Sequence, residues 1–314
     1  MPIEIPKDKW AGKIREAQIG ATTAEGGTRT RTLLVGGNTT LPFMQFEAPT
    51  LHAPAIAIEI KSRPPEDWSA LLTQAWGDAM KSPAAWAKAA ETAGADAIVL
   101  VLTLEDTPDQ AVQAVKSVLA ATGLPLLVFG PGQAEKDNDL LSAVSDATRG
   151  ERLVLGICED KNYRTIVASA LANGHLVSAR TAMDVNLCKQ LNILITDMGL
   201  PPDRLIVDPT TGALGYGIEY GYSAMERLRL SSLQGDGMTQ FAMLVNVGAE
   251  TWKAKESKVG AGVPEAWGDW KTRAILWETT TATALLEAGA GIVVLRHPES
   301  VQRIRLAINE LMTA

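Results

Sequence analysis

Cysteine is scarce in this chain, present only as Cys158 and Cys188, and that scarcity limits its metal chemistry. An iron–sulfur cubane needs about four thiolates at close Cys-x-x-Cys spacings, so the chain cannot hold one by itself. At most one disulfide could form, and intracellular thiols stay reduced, so both cysteines read as buried thiols. Histidine is equally sparse: His52, His175 and His297 lie far apart, no His-Glu-x-x-His spacing occurs, and no private metal site is expected. Positive charge is in deficit, with a net charge of −7 and a pI near 5.2. Such a chain offers no field to phosphate backbones or anionic lipid head groups, which argues against nucleic acid and membrane as partners. No apolar run is long enough to span a bilayer. The opening stretch Met1 to Trp10 lacks the basic and apolar regions of a secretory signal, so the cytoplasm is the expected compartment. A Gly-x-Ser-x-Gly elbow, a Cys beside a His and a framed carboxylate pair are all missing, and no residue is assigned a catalytic, bond-making role.

What is present is a repeat of strand and helix signals. A length of 314 residues suits one α/β barrel, so a single domain over residues 1–314 is expected, with 1–50 as an N-terminal hairpin extension and 51–314 as the barrel. In the extension, Thr30 to Val35 and Thr40 to Phe46 flank the turn residues Gly36-Gly37-Asn38 and read as a hairpin covering the amino-terminal mouth of the barrel. Eight short apolar runs then alternate with helical patterns. They are Ile56 to Ile60, Ala97 to Thr103, Pro125 to Phe129, Leu153 to Ile157, Leu176 to Ser178, Leu205 to Val207, Ala242 to Val247 and Gly291 to Leu295. Their continuous apolar character is what two-sided burial demands of parallel strands. Thr107-Pro108-Asp109-Gln110 spells a capping box, and Thr181 with Asp184 suggests another. Eight units predict a closed (β/α)8 TIM barrel, because an open doubly wound sheet needs a glycine-rich turn after its first strand. Lys61-Ser62-Arg63-Pro64-Pro65 stands there instead.

Function in such barrels collects beyond the carboxyl ends of the strands. The residues there are polar: Glu59 and Lys61, Thr103 with Glu105 and Asp106, Gly130 and Gly132, Glu159 and Asp160, Arg180, Asp208 with Thr210 and Thr211, Asn246, and Arg296 with His297. The longest connection follows the seventh strand and carries Trp252, Trp267 and Trp270, which could anchor a partner or a flat macrocycle or could simply pack the loop. An insertion after the first strand, Pro65 to Met80, reads as an extra helix with Trp68, Leu71, Leu72 and Trp76. His297 could titrate near neutrality, though a structural hydrogen bond is the plainer reading.

Three stretches carry a resemblance: Gly20-Ala-Thr-Thr-Ala-Glu-Gly-Gly-Thr-Arg-Thr30, Val35-Gly-Gly-Asn-Thr-Thr-Leu-Pro-Phe43 and Val207-Asp-Pro-Thr-Thr-Gly212. Together they resemble the small subunit of the corrinoid iron–sulfur protein, the delta-type subunit of acetyl-CoA decarbonylase/synthase, over essentially the whole chain. The resemblance implies a heterodimer in the reductive acetyl-CoA (Wood–Ljungdahl) pathway that carries a methyl group from methyltetrahydrofolate to acetyl-CoA synthase. It implies a corrinoid shared with a large partner subunit, a 4Fe-4S cluster on that partner only, and transient contact with methyltetrahydrofolate methyltransferase and acetyl-CoA synthase. Arg180, Asp208, Thr210, Thr211 and Asn246 are the expected cofactor-binding residues, since neighbouring strand ends should project them into one mouth where the amide-bearing edge of a corrin needs donors and acceptors. The Asp-Pro-Thr-Thr-Gly turn is also similar to those of pterin-binding methyltransferases and dihydropteroate synthases. The alternative is therefore an autonomous pterin-binding methyltetrahydrofolate methyltransferase, in which Asp208 and Asn246 would hydrogen-bond the pterin. A third reading is a barrel without ligand that recruits proteins through its tryptophan-rich loops.

Overall fold

Eight strands close into a barrel in the computed structural model, which describes residues 5–313, so the first four residues of the opening stretch lie outside it. The barrel strands are β3 (Ala55–Lys61), β4 (Ala97–Val101), β5 (Leu126–Phe129), β6 (Val154–Cys158), β7 (Leu176–Arg180), β8 (Leu205–Asp208), β9 (Met243–Val245) and β10 (Ala290–Leu295). Each pairs in parallel with its sequence neighbour, and β10 returns to pair with β3. The crossovers are helical, α2 (Pro83–Thr92), α3 (Pro108–Ala121), α4 (Ala134–Ala147), α5 (Tyr163–Asn173), α6 (Val185–Asp197), α7 (Ile218–Leu233) and α10 (Trp270–Glu287), and α11 (Pro298–Leu311) follows the last strand. A short α1 (Ala70–Trp76) precedes α2, while α8 (Val247–Thr251) and α9 (Lys255–Lys258) lie in the long connection before α10.

Alternation along each strand divides the core into two layers. Ile56, Ile58 and Ile60 of β3 point outward into the layer shared with the helices, whereas Ala55 and Ala57 point into the lumen beside Val99, Leu127, Phe129, Ile206, Leu244 and Val294. Every one of these side chains is essentially buried, and each is worth roughly 1.5–3 kcal/mol for the larger residues. Capping works as the sequence suggested at α3, where Thr107 Oγ1 accepts from Gln110 N and Gln110 Oε1 accepts from Thr107 N. At α6 the cap is Asp184 alone, accepting from Asn186 N and Leu187 N at 2.7 and 3.0 Å, and Thr181 takes no part.

The amino-terminal extension does form a two-stranded antiparallel sheet, but with different partners from those expected. β2 (Leu33–Val35) pairs with β1 (Ala17–Ile19), and residues 40–46 run through turns. Pro42 has no N–H to give a ladder, and Gly36, Gly37 and Phe43 all adopt positive φ, which bends the chain away from extension. Ala17, Ile19 and Val35 join the apolar cluster of the lumen, so the sheet seals the lower end of the barrel. The buried Arg29 fastens this lead-in by donating to the carbonyls of Leu119, Thr122 and Leu124.

The tryptophans of both insertions mostly pack inward. Trp68 and Trp76 are buried against Trp86, the former edge-on at 5.2 Å, and Trp76 Nε1 donates to the Arg296 carbonyl at 2.8 Å. Trp252 is buried and stacks on His297. Trp270 donates to the Ser257 carbonyl, and Trp267 lies under the Arg273 guanidinium. Both cysteines are free and buried.

Candidate binding site at the barrel mouth

Strand parity builds the site. The same alternation that places Ala55 and Ala57 in the lumen carries Glu59 and Lys61 to its upper rim, and it brings Arg180 of β7, Asp208 of β8, Asn246 after β9 and Arg296 after β10 to the same level. Together with Thr210, Thr211 and the Gly130-Pro131 turn they line a cavity of about 160 Å³ at the carboxyl ends of the strands. All five residues singled out from the sequence, Arg180, Asp208, Thr210, Thr211 and Asn246, are therefore in one mouth.

The floor is an ion pair: Arg296 Nη2 and Nε donate to Glu59 Oε1 and Oε2 at 2.6 and 3.0 Å, with Lys61 Nζ a further 3.9 Å from Glu59. Arg296 is held from two sides, by Trp68 beneath its guanidinium at 4.8 Å and by Glu278, which accepts from its backbone N at 2.7 Å. Glu278 also accepts from His297 N and Ser300 Oγ, and burial still pushes its carboxyl up.

The Asp-Pro-Thr-Thr-Gly turn forms one wall. Asp208 Oδ1 accepts from Thr210 N at 2.9 Å, Thr210 Oγ1 donates to the Thr181 carbonyl, and Thr211 Oγ1 accepts from Asn246 N at 2.8 Å. Thr210 sits at φ 64°, a left-handed conformation that costs a β-branched residue energy and is sustained here by its two hydrogen bonds. Gly212 must be glycine, because a Cβ would stand 2.2 Å from the Gly217 carbonyl oxygen. Asn246 lines the mouth, and its Oδ1 is buried with no partner among the described residues, an unsatisfied acceptor at the wall of the cavity.

Burial raises Asp208 to about 6, against the pull of Arg180 and the Thr210 N–H and with help from Glu159 and Glu250. Such a carboxyl can exchange a proton near neutral pH. Asp137, under the Gly130–Gly132 turn, is likewise raised to about 6 by burial. Arg180 stays half-exposed, 4.0 Å from Glu159. His297 is a structural group: its Nδ1 accepts from Glu299 N at the start of α11, and burial lowers it to about 4, so it does not titrate near neutrality. Glu250 and Lys253, paired at 2.8 Å, complete the rim. Sequence reasoning gave no role to Glu250, Asp137 or Glu278, since helical carboxylates carry no spacing signal for facing inward. Among the described residues no group of three or more His, Cys, Asp or Glu side chains is placed to hold a metal ion, and no helix is long and apolar enough to cross a membrane.

The profile of the family described as CO dehydrogenase/acetyl-CoA synthase delta subunit matches residues 16–304. The acetyl-CoA decarbonylase/synthase complex subunit delta of Archaeoglobus fulgidus is 37% identical over 97% of this chain and 70% of its own length. Subunit delta 1 of Methanosarcina thermophila is 36% identical over 93% and 69%. Among solved structures, dihydropteroate synthase of Xanthomonas albilineans in complex with 7,8-dihydropteroate superposes with a TM-score of 0.57 at 14% identity, covering 84% of this chain and 95% of that one. The Coxiella burnetii dihydropteroate synthase bound to pteroic acid gives 0.55 at 13%, covering 84% and 96%. At such identities the likeness concerns the barrel fold.

Proposed function

This chain belongs to the CO dehydrogenase/acetyl-CoA synthase delta subunit family, and from that membership we propose that it is the small subunit of a corrinoid iron–sulfur methyl carrier. Its partners are other subunits of an acetyl-CoA decarbonylase/synthase assembly, above all a larger chain that holds most of the corrinoid and the cluster. In this role the barrel mouth covers the corrinoid while a methyl group passes from methyltetrahydrofolate to acetyl-CoA synthase.

The observation that carries the reading is the unsatisfied acceptor Asn246 Oδ1, set in a rim of mixed donors and acceptors. The periphery of a corrin bears amides, which both donate and accept, and such a rim can answer both. Arg180 and Lys61 supply donors, Asn246 and Asp208 supply acceptors, and the Glu59–Arg296 pair keeps the floor rigid. A cavity of about 160 Å³ is below the usual size for engulfing a ligand, so the fit is that of a lid laid on a flat ring. When bound, the corrinoid supplies the cobalt that accepts and releases the methyl group. The chain's own part is to orient the ring edge and exclude water from its reactive face.

Co-purification tests this: the chain expressed with its large partner is expected to form a stoichiometric pair with corrinoid absorbance, and the isolated chain to carry neither cluster nor bound corrinoid. A second reading has support from Asn246 and the buried Asp208 lining one cavity, which also suits an N–H-rich heterocycle such as a pterin. If the isolated chain bound methyltetrahydrofolate tightly and transferred its methyl group, that reading would replace the first.

A further inference from the structure

At the end of the barrel opposite the mouth, Arg229 of α7 is buried, and among the described residues no carboxylate lies within ion-pair reach of it. Its Nη2 donates to the Gly289 carbonyl at 2.6 Å, but Nε and Nη1 have no partner. Gly289 adopts φ 107°, and a Cβ there would stand 2.8 Å from Arg229 Nε, so bare backbone makes room for the guanidinium. Burial lowers the group only to about 10, which leaves it charged at neutral pH. An uncompensated buried cation is costly, and an anion is what offsets it.

Arg229 lies between two cavities that share the Pro42-Phe43 wall. The smaller, about 30 Å³, is bordered by Asn38, Thr50 and His52, and Thr50 Oγ1 is a second buried polar atom without a partner. The larger, about 390 Å³, is chiefly apolar, lined by Leu41, Met44, Tyr222, Leu230 and Leu311. It falls in the range that holds small organic ligands. Glu226 and Glu287 also border it, and since their repulsion grows with ligand charge they favour at most a single negative charge, placed at Arg229.

We propose that the larger cavity binds a small monocarboxylate with an apolar tail, its head on Arg229 and its tail along Tyr222, Leu230 and Met44. The site stands apart from the mouth and does not depend on the corrinoid reading. Octanoate is the probe, titrated calorimetrically into the full chain. The expected result is saturable one-to-one binding, lost in Arg229→Met and weakened about tenfold or more in Met44→Asp, with octanol bound at least about tenfold more weakly than octanoate. Met44 is 40% exposed, so Met44→Asp keeps the test alive should Arg229→Met fail to fold. No saturation in the unaltered chain, equal binding by Met44→Asp, equal binding of octanol, or displacement of octanoate by inorganic phosphate would each overturn the proposal.

Discussion

Replacing Asp208 by Asn probes the energetic state of the mouth directly. Burial lifts this carboxyl from the ordinary 3.8 to about 6. The difference is about two pH units, and at 1.36 kcal/mol per unit it corresponds to about 3 kcal/mol. The sign follows from proton linkage. A raised acid holds its proton more tightly in the folded chain than in the unfolded one, so folding loses stability as pH climbs from about 4 through about 6, and above that range the whole penalty is carried. Asn has no charge to desolvate, and its Oδ1 can still accept from Thr210 N as the carboxylate does at 2.9 Å. Urea unfolding across pH is therefore expected to show Asp208→Asn up to about 3 kcal/mol more stable than the parent at pH 8, with the gap closing near pH 4. A gap independent of pH, or a less stable variant at pH 8, refutes the reasoning. A gain in stability on neutralising this residue is what a site held ready for a ligand produces, because function and stability compete there.

Three further outcomes follow. Arg296→Met strands the buried Glu59 carboxylate and should cost about 3–5 kcal/mol, while adding Glu59→Gln should restore most of it, a double-mutant cycle read by urea unfolding. His297 is lowered from 6.5 to about 4, so the folded chain binds fewer protons and stability is lost as pH falls from about 6.5 toward 4; His297→Asn, which keeps a capping acceptor, should flatten that acid limb by about 3 kcal/mol in pH-dependent unfolding. Burial raises Cys188 to about 11 and Cys158 upward as well, so a thiol reagent should label neither in the folded chain and both in urea, and native labelling of either contradicts the packing.

The barrel was legible because each strand buries both faces, which leaves an uninterrupted apolar run such as Leu205-Ile206-Val207 that no loop would carry. The residues that ring the mouth were legible for a related reason, since polar side chains at the ends of apolar runs, Arg180 after Leu176–Ala179 or Asn246 after Val245, mark the level where the lumen meets solvent. Long-range pairing was not legible. Ala17–Ile19 is a short run with no local mate, and its register with Leu33–Val35 is fixed by the barrel end it covers. Nor could composition decide the loop tryptophans, since a residue suited to gripping a partner is equally suited to filling the space beside His297, where Trp252 lies.

The sheet of Ala17–Ile19 and Leu33–Val35 corks the cylinder, and Leu127, Phe129 and Leu244 fill the bore above it. Among the described residues such a vessel has one doorway. Nothing can be handed in at one side and out at the other, so visitors to the upper opening must take turns, and whichever holds it bars the next. Donor and recipient of any cargo would then behave toward each other as competitors, with the order of arrival set by departure rates.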